Sequence, residues 1–197
     1  VLAAGAVSTA TAEAPLPHRL TAGQTVASAG HAPVPAPVAG AGDAAARSEP
    51  LRIRIPAIEV DAPLTALGLD ATGALQVPSS RERNLAGWYG AGVSPGERGT
   101  AVVTGHVDTE QGPAVFFRLA ELTAGQLIAV SRRDGHDAVF AVDTVEGLPK
   151  AGFPSTRVYA SAARPELRLI TCGGRYDPAA GGYQDNTVVY AHLIHAG

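Results

Sequence analysis

The sequence predicts a mainly β domain, a barrel or sandwich over residues 50–197, behind a flexible tail over residues 1–49. Three observations carry that expectation. The first is a series of apolar runs of strand length and period. In LRIRIP, Leu51, Ile53 and Ile55 alternate with Arg52 and Arg54, the pattern of a half-buried strand. Further runs are GTAVVTGH (99–106), QLIAVSRRDG (126–135), DAVFAVDTVEG (137–147), ELRLITCGG (166–174) and NTVVYAHLI (186–194). The second is turn chemistry: Asp134-Gly135 stands between two of these runs and tolerates the positive backbone angles of a hairpin. The third is a change of composition at residue 50. Of the first 49 residues, 26 are Ala, Gly or Pro, and none is Phe, Tyr, Trp, Ile, Lys or Cys. Such a segment buries too little apolar surface to offset its chain entropy.

Only short helical pieces interrupt the strands. They are expected at AVFFRLAEL (114–122) and STRVYASAA (155–163), with a turn at LTALGL (64–69) and Gly/Pro-rich loops at 87–99 and 147–154.

Charge and cysteine content exclude several classes. The net charge of −3 and pI near 6.1 leave no basic footprint for nucleic acid, which is bound chiefly through cationic contacts to phosphate. A single cysteine can form no internal disulfide and no multi-cysteine zinc framework.

That cysteine, Cys172, closes the apolar run LRLIT and is followed by Gly173 and Gly174. An isolated strand-end thiol is ordinarily inert packing, and a nucleophilic role needs an imidazole nearby. Of the six histidines, His18 and His31 lie in the tail, His136 in a turn, and His192 and His195 at the last strand. Only His106, in TGHVDT, combines an apolar strand approach with a glycine hinge. Asn186, in DNTVVYAHL, opens a run that could pair beside the cysteine strand, although asparagine there is usually turn chemistry.

The segments GWYGAGVSPGERGTAVVTGHVDT, GPAVFFRLAEL, LRLITCGGRYD and YQDNTVVYAHL resemble, in order and spacing, those of the sortases, the cysteine transpeptidases of Gram-positive cell surfaces. The wording is most similar to the class F sortases of actinobacteria, over residues 50–197. The resemblance implies a closed barrel of about eight strands, His106 as the catalytic histidine and Cys172 as the nucleophile. It also implies a tail serving as spacer from an N-terminal membrane anchor largely missing from this chain, and a monomer working at the outer face of the plasma membrane. The implied partners are LPXTG-like sorting-signal proteins and an amine of a peptidoglycan precursor. No metal or organic cofactor is required.

The chain departs from the general pattern at one place: Asn186 stands where the family has an arginine that donates to the substrate carbonyl or oxyanion. The Asn186 amide could serve. Alternatively, Arg175, three residues after the cysteine, or Arg168, four before it on the same strand face, could enter the site. Thr171, Gly173 and Gly174 are read as the residues around the bound substrate. Thr171 should face away from Cys172 and act structurally or through its backbone, whereas the glycines allow close approach of a peptide. The segment LPKAGFP (148–154) is read as a loop shaping the groove. The absence of an obvious inhibitory lid motif leans toward protein anchoring rather than pilus assembly. A secreted peptidase without transfer, a non-catalytic surface-binding barrel and a cell-wall L,D-transpeptidase are the competing readings; the last lacks its expected cysteine context.

Overall fold

The structure is a computed structural model and describes residues 43–197; the expected tail and spacer lie, as far as residue 42, outside the described residues. Ten strands follow in chain order: β1 Pro50–Ile55, β2 Val60–Leu67, β3 Ala86–Tyr89, β4 Gly99–Gly105, β5 Asp108–Thr109, β6 Gly112–Pro113, β7 Leu127–Arg132, β8 Asp137–Pro149, β9 Pro165–Asp177 and β10 Gly182–Ala196. Eight of them form a closed barrel in the order β1-β2-β3-β4-β9-β10-β8-β7, with β7 pairing back onto β1. Closure removes the free edges that an open sheet would expose. The short β5 and β6 make a separate two-stranded ribbon.

Alternation in β1 holds from Arg52 to Ile55: Ile53 and Ile55 are fully buried, while Arg52 pairs with Asp61 and Arg54 with Asp137 on the outer face. Leu51, expected on the buried face, is exposed, because the register to β7 shifts between Pro50 and Arg52. The hairpin between β7 and β8 is closed by the Gly135 N–H donating to the Arg132 carbonyl at 3.1 Å, with Gly135 at φ +86°. Phe116, Phe140, Ile128, Leu167, Leu169 and Leu193 fill the interior with no more than 1% exposure.

Three local expectations are corrected. LTALGL is no turn through Leu67: Leu64–Leu67 belong to β2 and pair in parallel with Ala86–Tyr89 of β3. Ladder hydrogen bonds to β3 therefore outweigh the local turn signal there. AVFFRLAEL forms only a single 3₁₀ turn, Leu119–Glu121. Its helix-like spacing has another cause, since Val115, Phe116, Leu119 and Leu122 are each buried in the barrel core from a largely irregular segment. STRVYASAA yields one helical turn, α1, Ser155–Val158.

Residues 43–49 precede the compositional boundary, yet they lie against the barrel. The Ala45 N–H donates to the Gly96 carbonyl at 2.8 Å, and Arg47 donates to the carbonyls of Gly90 and Gly92, both at 2.7 Å. The Arg47 guanidinium also lies 5.4 Å from the centre of the Trp88 ring.

The outer face of β4, β9 and β10 is buried as well. Val102, Ile170 and Val188 form a second apolar cluster with Val158 of α1, bordered by Tyr89, Phe153, Tyr159 and Tyr190. All seven residues of β4 are buried. Burial on both faces is why AVV and LRLI read as continuous apolar runs rather than as strict alternation. Replacing Leu169 by Ala should lower unfolding free energy by about 2–5 kcal/mol in a urea titration. Leu127→Ala, at a site 47% exposed, should change it by less than about 0.5 kcal/mol.

Candidate active site

Strands β4 and β9 run parallel, in register from Gly99↔Pro165 to Thr104↔Ile170. Continued two residues past that last pair, the register sets His106 level with Cys172. One side chain ties that end together: Thr171 Oγ1 donates to the Gly105 carbonyl at 2.8 Å. Glycine is required at 105 by close packing, since a Cβ there would sit 2.6 Å from Phe116 Cδ2 and Val115 Cγ1. The sequence TGH is thus a tightly packed strand end that delivers a histidine.

The two strand faces divide the residues around the thiol. Thr171 shares the inner face with Leu167 and Leu169, whereas Cys172 shares the outer face with Arg168 and Ile170. Cys172 is partly buried and stands at the end of the buried outer cluster of Val102, Ile170 and Val188. Asn186 is its direct partner on β10. Opposed residues of an antiparallel pair present side chains on one face, with Cβ atoms about 4.5–5.5 Å apart, so the Asn186 amide is a near neighbour of the sulfur.

His106 is oriented by its own contacts. Its Nε2 lies 2.8 Å from the Pro78 carbonyl oxygen. A carbonyl only accepts, so Nε2 carries the proton and Nδ1 is the nitrogen left to accept one. The loop after His106 is clasped to β10 by the Tyr183 hydroxyl, which donates to Asp108 Oδ2 at 2.5 Å. That hydrogen bond, helped by burial and by the negative charges of Asp108 and Cys172, pushes the Tyr183 hydroxyl up to about 12.

The cation at the thiol comes from a residue that motif reading passed over. Lys150 Nζ donates to Cys172 Sγ at 3.5 Å, and the Lys150 backbone N–H donates to the Gln184 carbonyl at 2.9 Å. The available signal was compositional, because Lys150 is the only lysine of the chain and lies in the groove-shaping segment LPKAGFP.

Neither alternative arginine is engaged at the sulfur. Arg175 is 79% exposed and bonded to Asp177 at 2.9 Å. Arg168 is 8% exposed, bonded to Glu166 at 2.6 Å, and stacked 4.5 Å from the centre of the Tyr190 ring. Burial would raise the Glu166 carboxyl, but its hydrogen bonds and charge interactions with Arg168 and Arg164 lower it on balance. Arg168 is therefore held as part of a buried ion pair further along β9. The two glycines after Cys172 also have a packing reason. A Cβ on Gly173 would lie 2.5 Å from Thr187 Oγ1, and one on Gly174, at φ +72°, would collide with the Asp185 carboxylate.

A cavity of about 590 Å³ opens elsewhere, bordered by Leu122, Asp143, Val145, Asp185 and Thr187. Neither His106 nor Cys172 lines it.

Tyr183 gives this site a titration signature. Between the ordinary tyrosine value near 10 and about 12, the folded protein keeps a proton that the unfolded chain has lost. The clasp therefore contributes stability fully below pH 10 and loses that contribution as pH rises toward 12. Absorbance titration should find one tyrosine near 12 and return it toward 10 in Asp108→Asn; a wild-type titration with every tyrosine near 10 contradicts the clasp.

The Sortase domain family matches residues 53–194. No curated protein sequence matches the chain. Among solved structures, sortase A from Corynebacterium diphtheriae superposes with a TM-score of 0.57 at 18% identity, over 76% of this chain and 62% of that one. Listeria monocytogenes sortase A gives 0.57 at 13% identity, over 76% and 88%. A Clostridium perfringens sortase D5 transpeptidase gives 0.54 at 20% identity, over 74% and 79%. The chain thus spans less than two thirds of the C. diphtheriae enzyme while sharing its barrel. With the family matched over most of the described residues, and with a histidine-bearing strand end set level with the lone thiol, the chain belongs to the sortases, a family of cysteine transpeptidases.

Proposed function

We propose that this protein is a surface transpeptidase that cleaves an LPXTG-like sorting signal between Thr and Gly and transfers the threonyl acyl group to a cell-wall amine. The observation that carries the reading is the parallel β4–β9 register, which brings the ends of TGH and ITC to one level at the margin of the outer apolar cluster. The motif wording supports a class F assignment, and membrane attachment through a segment N-terminal to the described residues accords with the Ala/Pro-rich spacer composition.

In this mechanism the Cys172 thiolate attacks the threonine carbonyl carbon. A C–S bond forms, and the carbonyl π electrons move to oxygen. Asn186, beside the thiol, donates its amide hydrogen to that oxyanion. When the tetrahedral intermediate collapses, the C–N bond breaks and protonated His106 gives its proton to the departing glycine amine, leaving a thioester. The acceptor amine then attacks the thioester carbonyl and loses its proton to His106, and the C–S bond breaks to return the thiolate. Water performs the same second step more slowly. The peptide upstream of the scissile bond packs against the partly exposed rings of Tyr89 and Phe153, at the margin of the buried cluster of Val102, Ile170 and Val188. Arg175, paired with Asp177 at the surface, has at most a peripheral part.

Mass spectrometry after incubation with a panel of LPXTG-related peptides, with and without an amine acceptor, tests the reading. A thioester on the Cys172 peptide and an acceptor-ligated product are expected. Both should vanish in Cys172→Ala, and turnover should fall about 10²–10⁴-fold in His106→Ala. Hydrolysis alone at saturating acceptor would make the protein a peptidase. Absence of any adduct across the panel, together with a thiol unreactive to alkylation, would make Cys172 a packing residue.

A further inference from the structure

The protein has one cysteine and one lysine, and the fold puts them in contact: Lys150 Nζ to Cys172 Sγ is 3.5 Å. They are 22 residues apart and come from different segments. Strand β8 runs beside β10 with Pro149 opposite Asp185, so Lys150, the first residue past the strand, is delivered to the Cys172 end of β10. Its backbone N–H to the Gln184 carbonyl and its own carbonyl, which accepts from the Phe153 N–H at 3.3 Å, fix the start of the loop. A long, flexible side chain anchored at its backbone in this way has its ammonium directed at the sulfur rather than into solvent.

We propose that Lys150 is the cationic catalytic residue of this enzyme, occupying the electrostatic role for which Asn186 offers only a neutral amide. The proposal rests on the transpeptidase reading above. In the resting enzyme the ammonium donates a charge-assisted hydrogen bond to the sulfur. As the C–S bond forms, negative charge leaves sulfur for the carbonyl oxygen one bond away. An ammonium has three donors on a flexible stem, so Lys150 follows the charge from sulfur to oxyanion, with Asn186 donating from the β10 side. When the intermediate collapses to thioester, the charge is gone from the oxygen and Lys150 releases it. It keeps its proton throughout, and proton transfer stays with His106. The arginines cannot substitute without breaking an existing pair, Arg175 with Asp177 and Arg168 with Glu166.

The test compares wild type, Lys150→Met, Lys150→Arg and Asn186→Ala in two assays on the intact chain. The first needs no substrate: rates of Cys172 alkylation by iodoacetate and by iodoacetamide. A cation beside the sulfur favours the anionic reagent, so the iodoacetate-to-iodoacetamide ratio should fall at least threefold in Lys150→Met and be retained in Lys150→Arg. Asn186→Ala should leave that ratio unchanged. The second is single-turnover thioester formation, which should drop about 10²-fold or more in Lys150→Met and recover to within about tenfold in Lys150→Arg. Melting temperatures identify any variant that fails to fold, and Lys150→Gln, which keeps the polar stem without the charge, then replaces Lys150→Met. An unchanged reagent ratio, or acylation within threefold of wild type in the uncharged variants, overturns the proposal. If wild type itself forms no thioester, the transpeptidase reading falls, while the reagent ratio still decides whether Lys150 sets the charge at the thiol.

Discussion

The parallel pairing of β4 with β9 is the constraint on which the rest of the molecule depends. It joins the two strands that carry His106 and Cys172, and it can form only because both are covered on both faces. Parallel strands cannot be linked by a tight hairpin and need a long crossover. Here the crossover runs from residue 106 to 164 and includes β7, β8 and α1. That path closes the barrel with β7 and β8 on one side and lays α1 over the outer cluster on the other. The hydrogen bond from Thr171 to the Gly105 carbonyl is the local lock of this arrangement. A buried carbonyl left without it would cost about 1–3 kcal/mol, and the loss would fall where the two motifs meet.

Charge is distributed in a way that serves the same end. Arginines pair with carboxylates at the surface and beneath it: Arg52 and Arg54 across β1 and Arg157 to Glu146 outside, Arg132 to Asp134 and Arg168 to Glu166 from buried positions. Each is committed to a carboxylate. The solitary lysine is directed at sulfur instead. On the far rim Tyr183 clasps Asp108 and thereby joins the histidine loop to β10. The thiol is consequently approached from three separate segments, each tied to β9 or β10 by backbone or side-chain hydrogen bonds.

Much of this was legible in the sequence, for physical reasons that differ from residue to residue. The placement of His106 and Cys172 at the end of a buried strand run was legible because each adjoins both an apolar run and a glycine. Asn186 was legible because β10 must lie next to β9 for DNTVV and LITC to share burial, and the register sets the two residues opposite one another. Lys150 was not, because its approach depends on where β8 ends relative to β10, a pairing that no local pattern encodes. The apolar spacing of AVFFRLAEL imitates a helix since Val115, Phe116, Leu119 and Leu122 each enter the core. Period alone cannot distinguish a helix face from an irregular segment whose side chains are buried one at a time. LTALGL misled for the opposite reason: Leu64–Leu67 gain a parallel partner, β3, from 22 residues downstream. Barrel closure itself, β7 onto β1, is likewise a long-range pairing that alternation cannot reveal.

The most direct measurement of the central claim is a crystal structure of the protein with a sorting-peptide analogue joined to Cys172 through a disulfide at the scissile position. The account predicts the peptide against the rings of Tyr89 and Phe153, its reacting carbonyl oxygen facing Lys150 and Asn186 and its leaving-group side facing His106. A peptide seated instead in the cavity bordered by Asp185 and Thr187, or a carbonyl held by Arg175 with Lys150 turned away, would contradict it.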